Sequence, residues 1–204
     1  MLAKVIHKVT GRHIRNLLQK RELEPLGLRH TEITPLPAIP APALHAYTAD
    51  RPYGAKETIY EDSTSWSPSY GLPGSMLMTA TMADIIRSAK ALGQGTLISK
   101  QAQRERIEPI TANLPAIPAG VKFDENFYYG LGLLVLNGWQ FQNPDINGYA
   151  SIEAYLPQRK IALAVTVTRG PDAAMTSTNY SNEVFEAVSL YLTPDHPAQV
   201  ATSG

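Results

Sequence analysis

Apolar positions in the opening segment fall at Leu2, Val5, Ile6 and Val9, the i, i+3, i+4, i+7 spacing of one helical face. The spacing predicts a core-facing helix that ends at Gly11, a residue suited to a left-handed cap. A second helix follows with Ile14, Leu17, Leu18 and Leu23 inward, broken by Pro25 and Gly27. Between residues 33 and 74, Pro35, Pro37, Pro40 and Pro42 fix φ and remove donors, which predicts irregular chain: a plain loop or an excursion lining the rim of a cleft. The pattern becomes helical again at Thr81, an N-cap candidate with Asp84 three residues on. Met82, Ile85, Ile86 and Ala89 are the expected buried stripe, and Gly93 and Gly95 the stop. A short helix is expected from Ser99 to about Ile107, then extended chain at Pro109, Pro115 and Pro118.

From Tyr128 the period changes to two. Tyr129, Leu131, Leu133 and Val135 alternate as in a strand. Tyr149 to Leu156 and Lys160 to Thr168 are two more strands, joined by Pro157-Gln158-Arg159 as an antiparallel hairpin. The second of these is apolar on both faces in its first half, which predicts a central strand covered by helices. A last helix runs from about Ser181 to Leu192 with Val184, Phe185, Val188 and Tyr191 or Leu192 inward. Helices, then an antiparallel sheet, then a helix that packs back on it make an α+β fold. The expected organisation is a helical, loop-rich portion over 1–127, strands and a C-terminal helix of the same domain over 128–195, and a disordered tail over 196–204.

Composition narrows the chemistry. Lys+Arg and Asp+Glu balance at 18 each in 204 residues, so no basic excess exists to hold nucleic acid. The absence of cysteine removes disulfides and thiolate chemistry. No apolar run approaches the roughly 20 residues of a transmembrane helix, and the N-terminus lacks a signal-peptide core, which leaves the compartment undecided. His7 and His13 lie six apart on polar helix faces, the wrong spacing for shared metal ligation, and no zincin, P-loop or dinucleotide motif occurs. Neither a metal nor a cofactor is expected. Asp124-Glu125 reads as an exposed loop pair. Trp66, Tyr70, Tyr128 and Tyr129 read as core packing or as the lining of an apolar pocket.

Four blocks carry a family resemblance. Lys8-Val9-Thr10-Gly11-Arg12 with Glu24-Pro25-Leu26-Gly27-Leu28 and His30-Thr31 is the first. Gly74-Ser75-Met76 with Thr79, Thr81 and Asp84 is the second. Tyr129-Gly130-Leu131-Gly132 is the third, and Gly148-Tyr149 through Tyr155-Leu156-Pro157 the fourth. In this order they resemble the serine β-lactamase and penicillin-binding-protein-like hydrolases, and the resemblance implies a β-lactamase/DD-peptidase-like fold, its antiparallel sheet flanked by helices. Relatives of this kind are often extracytoplasmic.

The family forms an acyl-enzyme on a serine activated by a lysine one helical turn away in Ser-x-x-Lys, with a Tyr-x-Asn or Ser-x-Asn relay and a third box on a sheet strand. No Ser-x-x-Lys occurs here: Ser75 is followed by Met78 and Ser88 by Ala91. The relay would fall before Met1, so the resemblance implies an N-terminally truncated, C-terminal portion of the fold that is inactive in isolation and leaves a surface open to association. Tyr180-Ser181-Asn182 matches the relay literally, but its place before the last helix makes Ser181 or Asn182 an N-cap. The third box corresponds to Gln142-Asn143-Pro144, which has no cation. Gln142 and Asn143 are candidate substrate-binding residues, with the Asp145 N–H in the register of the oxyanion donor. A polar strand end with no role is the competing reading. The expected partner is a small-molecule or peptide substrate. The missing cation leans toward an ester without a carboxylate. A non-catalytic binding protein of the same fold is the alternative.

Overall fold

A computed structural model describes residues 2–33, 39–49, 59–66, 77–114, 122–171, 173 and 178–199. The expectations for Pro35, Pro37, Tyr70 and Gly74-Ser75-Met76 lie outside them. By internal contacts the chain forms two compact units. One comprises Met1–Arg87, Ile146–Tyr149 and Thr168–Ser177; the other comprises Ser88–Asp145, Ala150–Val167 and Thr178–Gly204.

The first unit opens with α1 (Leu2–Thr10). Its apolar stripe is not core-facing as its spacing predicts: Leu2 and Val9 are nearly four-fifths exposed and Val5 about half. Amphipathic spacing fixes which face is apolar, not what covers it. The next helix is longer than expected, because α2 (Ile14–Leu18) continues through a π-helical turn, Gln19–Leu23, into α3 (Glu24–Leu26). Pro25 sits inside this run rather than breaking it, directly after the π-helical turn. Gly27 closes the helix in the left-handed region at φ 64°. Leu17 and Leu23 are buried as the pattern predicts. Within the proline-rich region, β1 (Tyr47–Thr48) and β2 (Glu61–Asp62) pair as a short antiparallel ribbon.

Helix α4 (Met82–Gln94) starts and stops where expected, with Gly95 at φ 65° beyond its end. Its buried face differs. Ala89 is buried as expected, but Met82 and Ile86 are exposed, whereas Asp84, Ala91 and Gly93 are buried. Small residues let a neighbour approach closely, and a Cβ on Gly93 would lie 2.2 Å from Cδ1 of Tyr155. Helix α5 (Lys100–Arg106) is capped by Ser99, whose hydroxyl accepts from Ala102 N–H at 3.1 Å.

The second unit is built on a six-stranded sheet. Its path runs β3 (Phe127–Tyr129), β4 (Leu134–Leu136), β5 (Trp139–Gln142), β7 (Tyr149–Leu156), β6 (Asp145–Ile146), and β8 (Ile161–Thr168) also pairs with β7. The single strand expected from Tyr128 is a hairpin, with Phe127 opposite Leu136 and Tyr129 opposite Leu134. Gly130 and Gly132 are the reason. Gly132 turns the chain at φ 75°, and a Cβ on Gly130 would lie 2.1 Å from the Arg106 carbonyl oxygen.

The central strand is β7 rather than β8: β8 pairs with β7 alone among the described residues. Trp139, Phe141, Ile152, Ala154 and Leu156 point to one face and bury there with Phe185 of α6 (Tyr180–Leu192). The inward face of α6 is Ser181, Phe185 and Ser189, so Val184, Tyr191 and Leu192 are exposed against expectation. Residues 196–199 make specific hydrogen bonds, and Ala198 is buried. Trp139 Nε1 donates to His196 O at 2.8 Å, Asn137 Nδ2 to Pro197 O at 2.8 Å, and Ala198 N to Ser189 Oγ at 2.7 Å. The first two bonds satisfy side-chain donors at the β4–β5 turn, and in the third the α6 hydroxyl accepts from the tail amide.

Candidate functional site

Strand β5 alternates with the pleat. Trp139 and Phe141 enter the core, which sends Gln140 and Gln142 to the opposite face. Gln142 lies opposite Glu153 of β7. Its Nε2 donates to Gly132 O at 2.7 Å, so the end of β5 is tied to the Tyr129–Gly132 turn. That turn is itself held by α5, since Leu131 N–H donates to Arg106 O at 2.8 Å.

Beyond Gln142 the chain leaves β5 and meets the start of α6. Asn143 Nδ2 donates to Asn182 Oδ1 at 3.1 Å. Asn143 O accepts from Asn179 Nδ2 at 2.9 Å. Asn179 is the N-cap of α6, and its Oδ1 accepts from Ser181 N–H at 3.0 Å and from the Ser181 hydroxyl. Three asparagines thus lock strand end and helix start together. Pro144 and Asp145 remain exposed, and Pro144 O accepts from Ser151 N–H at 3.0 Å. Gln142 and Asn143 are brought next to each other and half-buried, and Asp145 begins β6.

Sequence reasoning noticed Tyr180-Ser181-Asn182 but assigned the cap to Ser181 or Asn182. The cap is Asn179, which frees Asn182 to reach the strand. The signal that could have found it is the third asparagine, three residues before Asn182 and thus on the same helix face.

The remaining candidates have structural partners. Asp124 Oδ1 accepts from Asn126 N–H at 2.7 Å and Phe127 N–H at 2.9 Å, a turn that starts β3. Tyr128 donates its hydroxyl to Ile107 O at 3.0 Å, and burial pushes its phenol above the usual range. Tyr129 packs edge-on against Phe123 at 5.8 Å. Trp66 is buried in the first unit. In that unit Tyr149 donates its hydroxyl to Leu44 O at 2.8 Å and to Thr64 Oγ1 at 3.2 Å. Its phenol is raised, first by burial. His45 Nδ1 lies 2.8 Å from Asp62 Oδ2. Among the described residues no group of three or more His, Asp or Glu is placed to hold a metal ion, and no helix is long and apolar enough to cross a membrane.

The candidate strand end provides neutral amide donors and acceptors held by hydrogen bonds. It carries no cation on Gln142, Asn143 or Pro144 to pair with a carboxylate.

A family model described as Beta-lactamase matches residues 1–184. Among solved structures, the chain is similar to a D-stereospecific amidohydrolase from Streptomyces sp., at 22% identity and TM-score 0.71, over 94% of this chain and 52% of that one. It is similar to a D-amino acid amidase from Ochrobactrum anthropi SV3, at 21% identity and TM-score 0.64, over 93% and 55%. A penicillin binding protein from Bacillus halodurans aligns at 14% identity and TM-score 0.63, over 92% and 52%. The chain therefore spans about half the length of these structures. None of the curated proteins matches it.

Proposed function

Because this chain belongs to the beta-lactamase family, we propose that it supplies the substrate-facing strand of a serine hydrolase that cleaves an amide or ester through an acyl-enzyme. In this reading the nucleophilic serine and its lysine come from outside these 204 residues, since no Ser-x-x-Lys occurs among them. The chain alone is then inactive. The observation that carries the reading is the Gln142-Asn143-Pro144-Asp145 strand end, at the register of the third box and held by Gly132, Asn179 and Asn182.

The roles follow from the chemistry of acyl transfer. Gln142 and Asn143 offer amide groups that bind a neutral substrate face. The Asp145 N–H is the candidate oxyanion donor, whose worth lies in being fixed before charge develops. The absent cation supports a substrate without a carboxylate. Similarity to the Streptomyces amidohydrolase and the Ochrobactrum amino acid amidase favours an amide over the ester. Exposed positions on α1 support the competing reading, a binding protein of the same fold that performs no chemistry.

The test is an NMR titration of the chain with D-phenylalanine amide, paired with intact-mass analysis after treatment with a fluorophosphonate. Shifts confined to Gln142, Asn143, Asp145 and their neighbours, with unchanged mass, are the expected result. A covalent adduct on any serine of this chain overturns the placement of the nucleophile elsewhere. Absence of shifts at this strand end overturns its substrate-facing role.

A further inference from the structure

Residues 1–30 hold seven of the chain's 18 lysines and arginines but two of its 18 acidic residues, Glu22 and Glu24. A chain that is neutral overall is thus strongly basic at this end, and a local excess of one sign attracts ligands of the other. Within the segment a cavity of about 270 Å³ is lined by four polar residues. Arg12 lies in the turn between α1 and α2, Asn16 on α2, and Gln19 and Lys20 at the start of the π-helical turn. All four side chains carry N–H donors, and among the described residues no acidic side chain lines the cavity.

The backbone under Arg12 is held while its side chain is left to solvent. Gly11 turns the chain at φ 66°. Arg12 N–H then donates to Thr10 Oγ1 at 3.2 Å, and His7 Nδ1 donates to Arg12 O at 3.1 Å. Gln19 Nε2 donates to Glu24 Oε1 at 3.3 Å, long for such a bond, so an incoming anion displaces little to gain this amide. Among the described residues the side chains of Arg12, Asn16 and Lys20 make no ion pair or hydrogen bond, and all four lining residues are exposed. Two cations sharing one cavity repel each other, and an anion seated between them turns that repulsion into attraction.

We propose that the cavity between Arg12, Asn16, Gln19 and Lys20 binds the phosphate group of a small soluble phosphate ester. The donor set selects this anion. A guanidinium fork engages two oxygens at once, and an ammonium meets a third as a point charge. The amides of Asn16 and Gln19 then have further oxygens to reach on a tetrahedral group, which a planar carboxylate with two oxygens does not offer. The cavity is smaller than the roughly 300–1,000 Å³ of sites for drug-sized ligands, which suits a small ester. The proposal stands without the functional reading above, because every residue it uses lies in the first unit.

The experiment is an NMR titration of the whole chain, at low salt, with glycerol phosphate and with succinate. Vesicles of phosphatidylcholine, with and without phosphatidylglycerol, test a lipid source of the same phosphate chemistry. Glycerol phosphate should give saturable shifts centred on Arg12, Asn16, Gln19 and Lys20, at a concentration about 10-fold below that for succinate. Arg12→Gln and Lys20→Gln should each weaken binding about 10-fold, as expected for loss of a charged hydrogen bond. Lys20→Arg should retain it, and so should Arg104→Gln, which removes an exposed cation of α5. Loss of binding in Arg104→Gln equal to that in Lys20→Gln would show attraction to charge alone and overturn the site. Succinate binding as tightly as glycerol phosphate overturns the choice of phosphate. No saturable shift at these residues, or association with phosphatidylglycerol vesicles but not with glycerol phosphate, overturns the proposal as well.

Discussion

The side-chain amide of Asn143 donates to Oδ1 of Asn182 at 3.1 Å, joining the residue that follows β5 to the first turn of α6. The bond takes a position read as part of a catalytic box and fixes it from a helix 39 residues away. Replacing Asn182 with alanine removes the acceptor, at a cost of about 1 kcal/mol for a neutral hydrogen bond. Asn182→Asp keeps an acceptor and places a negative charge near the helix N-terminus, where it is favourable. Thermal unfolding should therefore show Asn182→Ala below wild type and Asn182→Asp close to it. Exchange of the 143–145 amides should accelerate only in the alanine variant. Equal acceleration in both would show that the bond does not hold the strand end.

Two glycines are set by close approach. The Cβ of Gly130→Ala meets a backbone carbonyl at 2.1 Å, which cannot swing aside. The Cβ of Gly93→Ala meets the buried Tyr155 ring at 2.2 Å. Both should destabilise, by about 1–3 kcal/mol as for overpacking. Gly130→Ala should also weaken the Gln142–Gly132 bond by displacing the turn. Denaturant midpoints check the first statement, and the Gln142 side-chain amide resonances the second.

Asp84 is 1% exposed and accepts from His30 N–H at 2.7 Å, Thr31 Oγ1 at 3.1 Å and Arg87 at 2.8 Å. Replacing it with alanine leaves His30 N–H and Thr31 without their acceptor. The expected loss is about 1.5–3 kcal/mol, the range for hydrogen bonds to a charged group. Arg87→Ala should cost less, because Arg87 is half-exposed. Equilibrium unfolding of the two variants tests the order.

Asp62 titrates below the usual carboxylate range, chiefly because of its hydrogen bond with the Thr64 side chain and then that with His45. Its folded pKa lies below its unfolded one. The stability it contributes is therefore present above about pH 4 and is lost as pH falls through the folded value. The group is substantially exposed, so the effect is small. Thr64→Val should move the Asp62 carboxyl titration upward by NMR. An unchanged titration would remove the Thr64 hydroxyl as the main cause.

Much of the fold was legible because it depends on local signals. Thr81 and Gly95 bracket α4, Ser99 caps α5, and Pro157-Gln158-Arg159 turns β7 into β8. What was missed depends on neighbours. The α1 stripe and Ile86 have helical spacing yet face solvent, and α4 buries Gly93 because Tyr155 packs closely against it. The β3–β4 hairpin was hidden because alternation continues across a turn whose only marks are Gly130 and Gly132. At the site, Gln142, Asn143 and Asp145 were named from register. The Asn179–Asn182 lock was not, since one helix turn meeting one strand end is a long-range fact.

Gln142 is anchored to a main-chain oxygen rather than to another side chain. Such an anchor places no demand on which residue occupies the turn, only on the path of its backbone. Leu131, 59% exposed between two glycines that do fix the path, is thus a position where the chain can vary widely. A fluorophore attached there would sit beside the anchor without replacing any part of it, and would report when a molecule displaces the Gln142 amide.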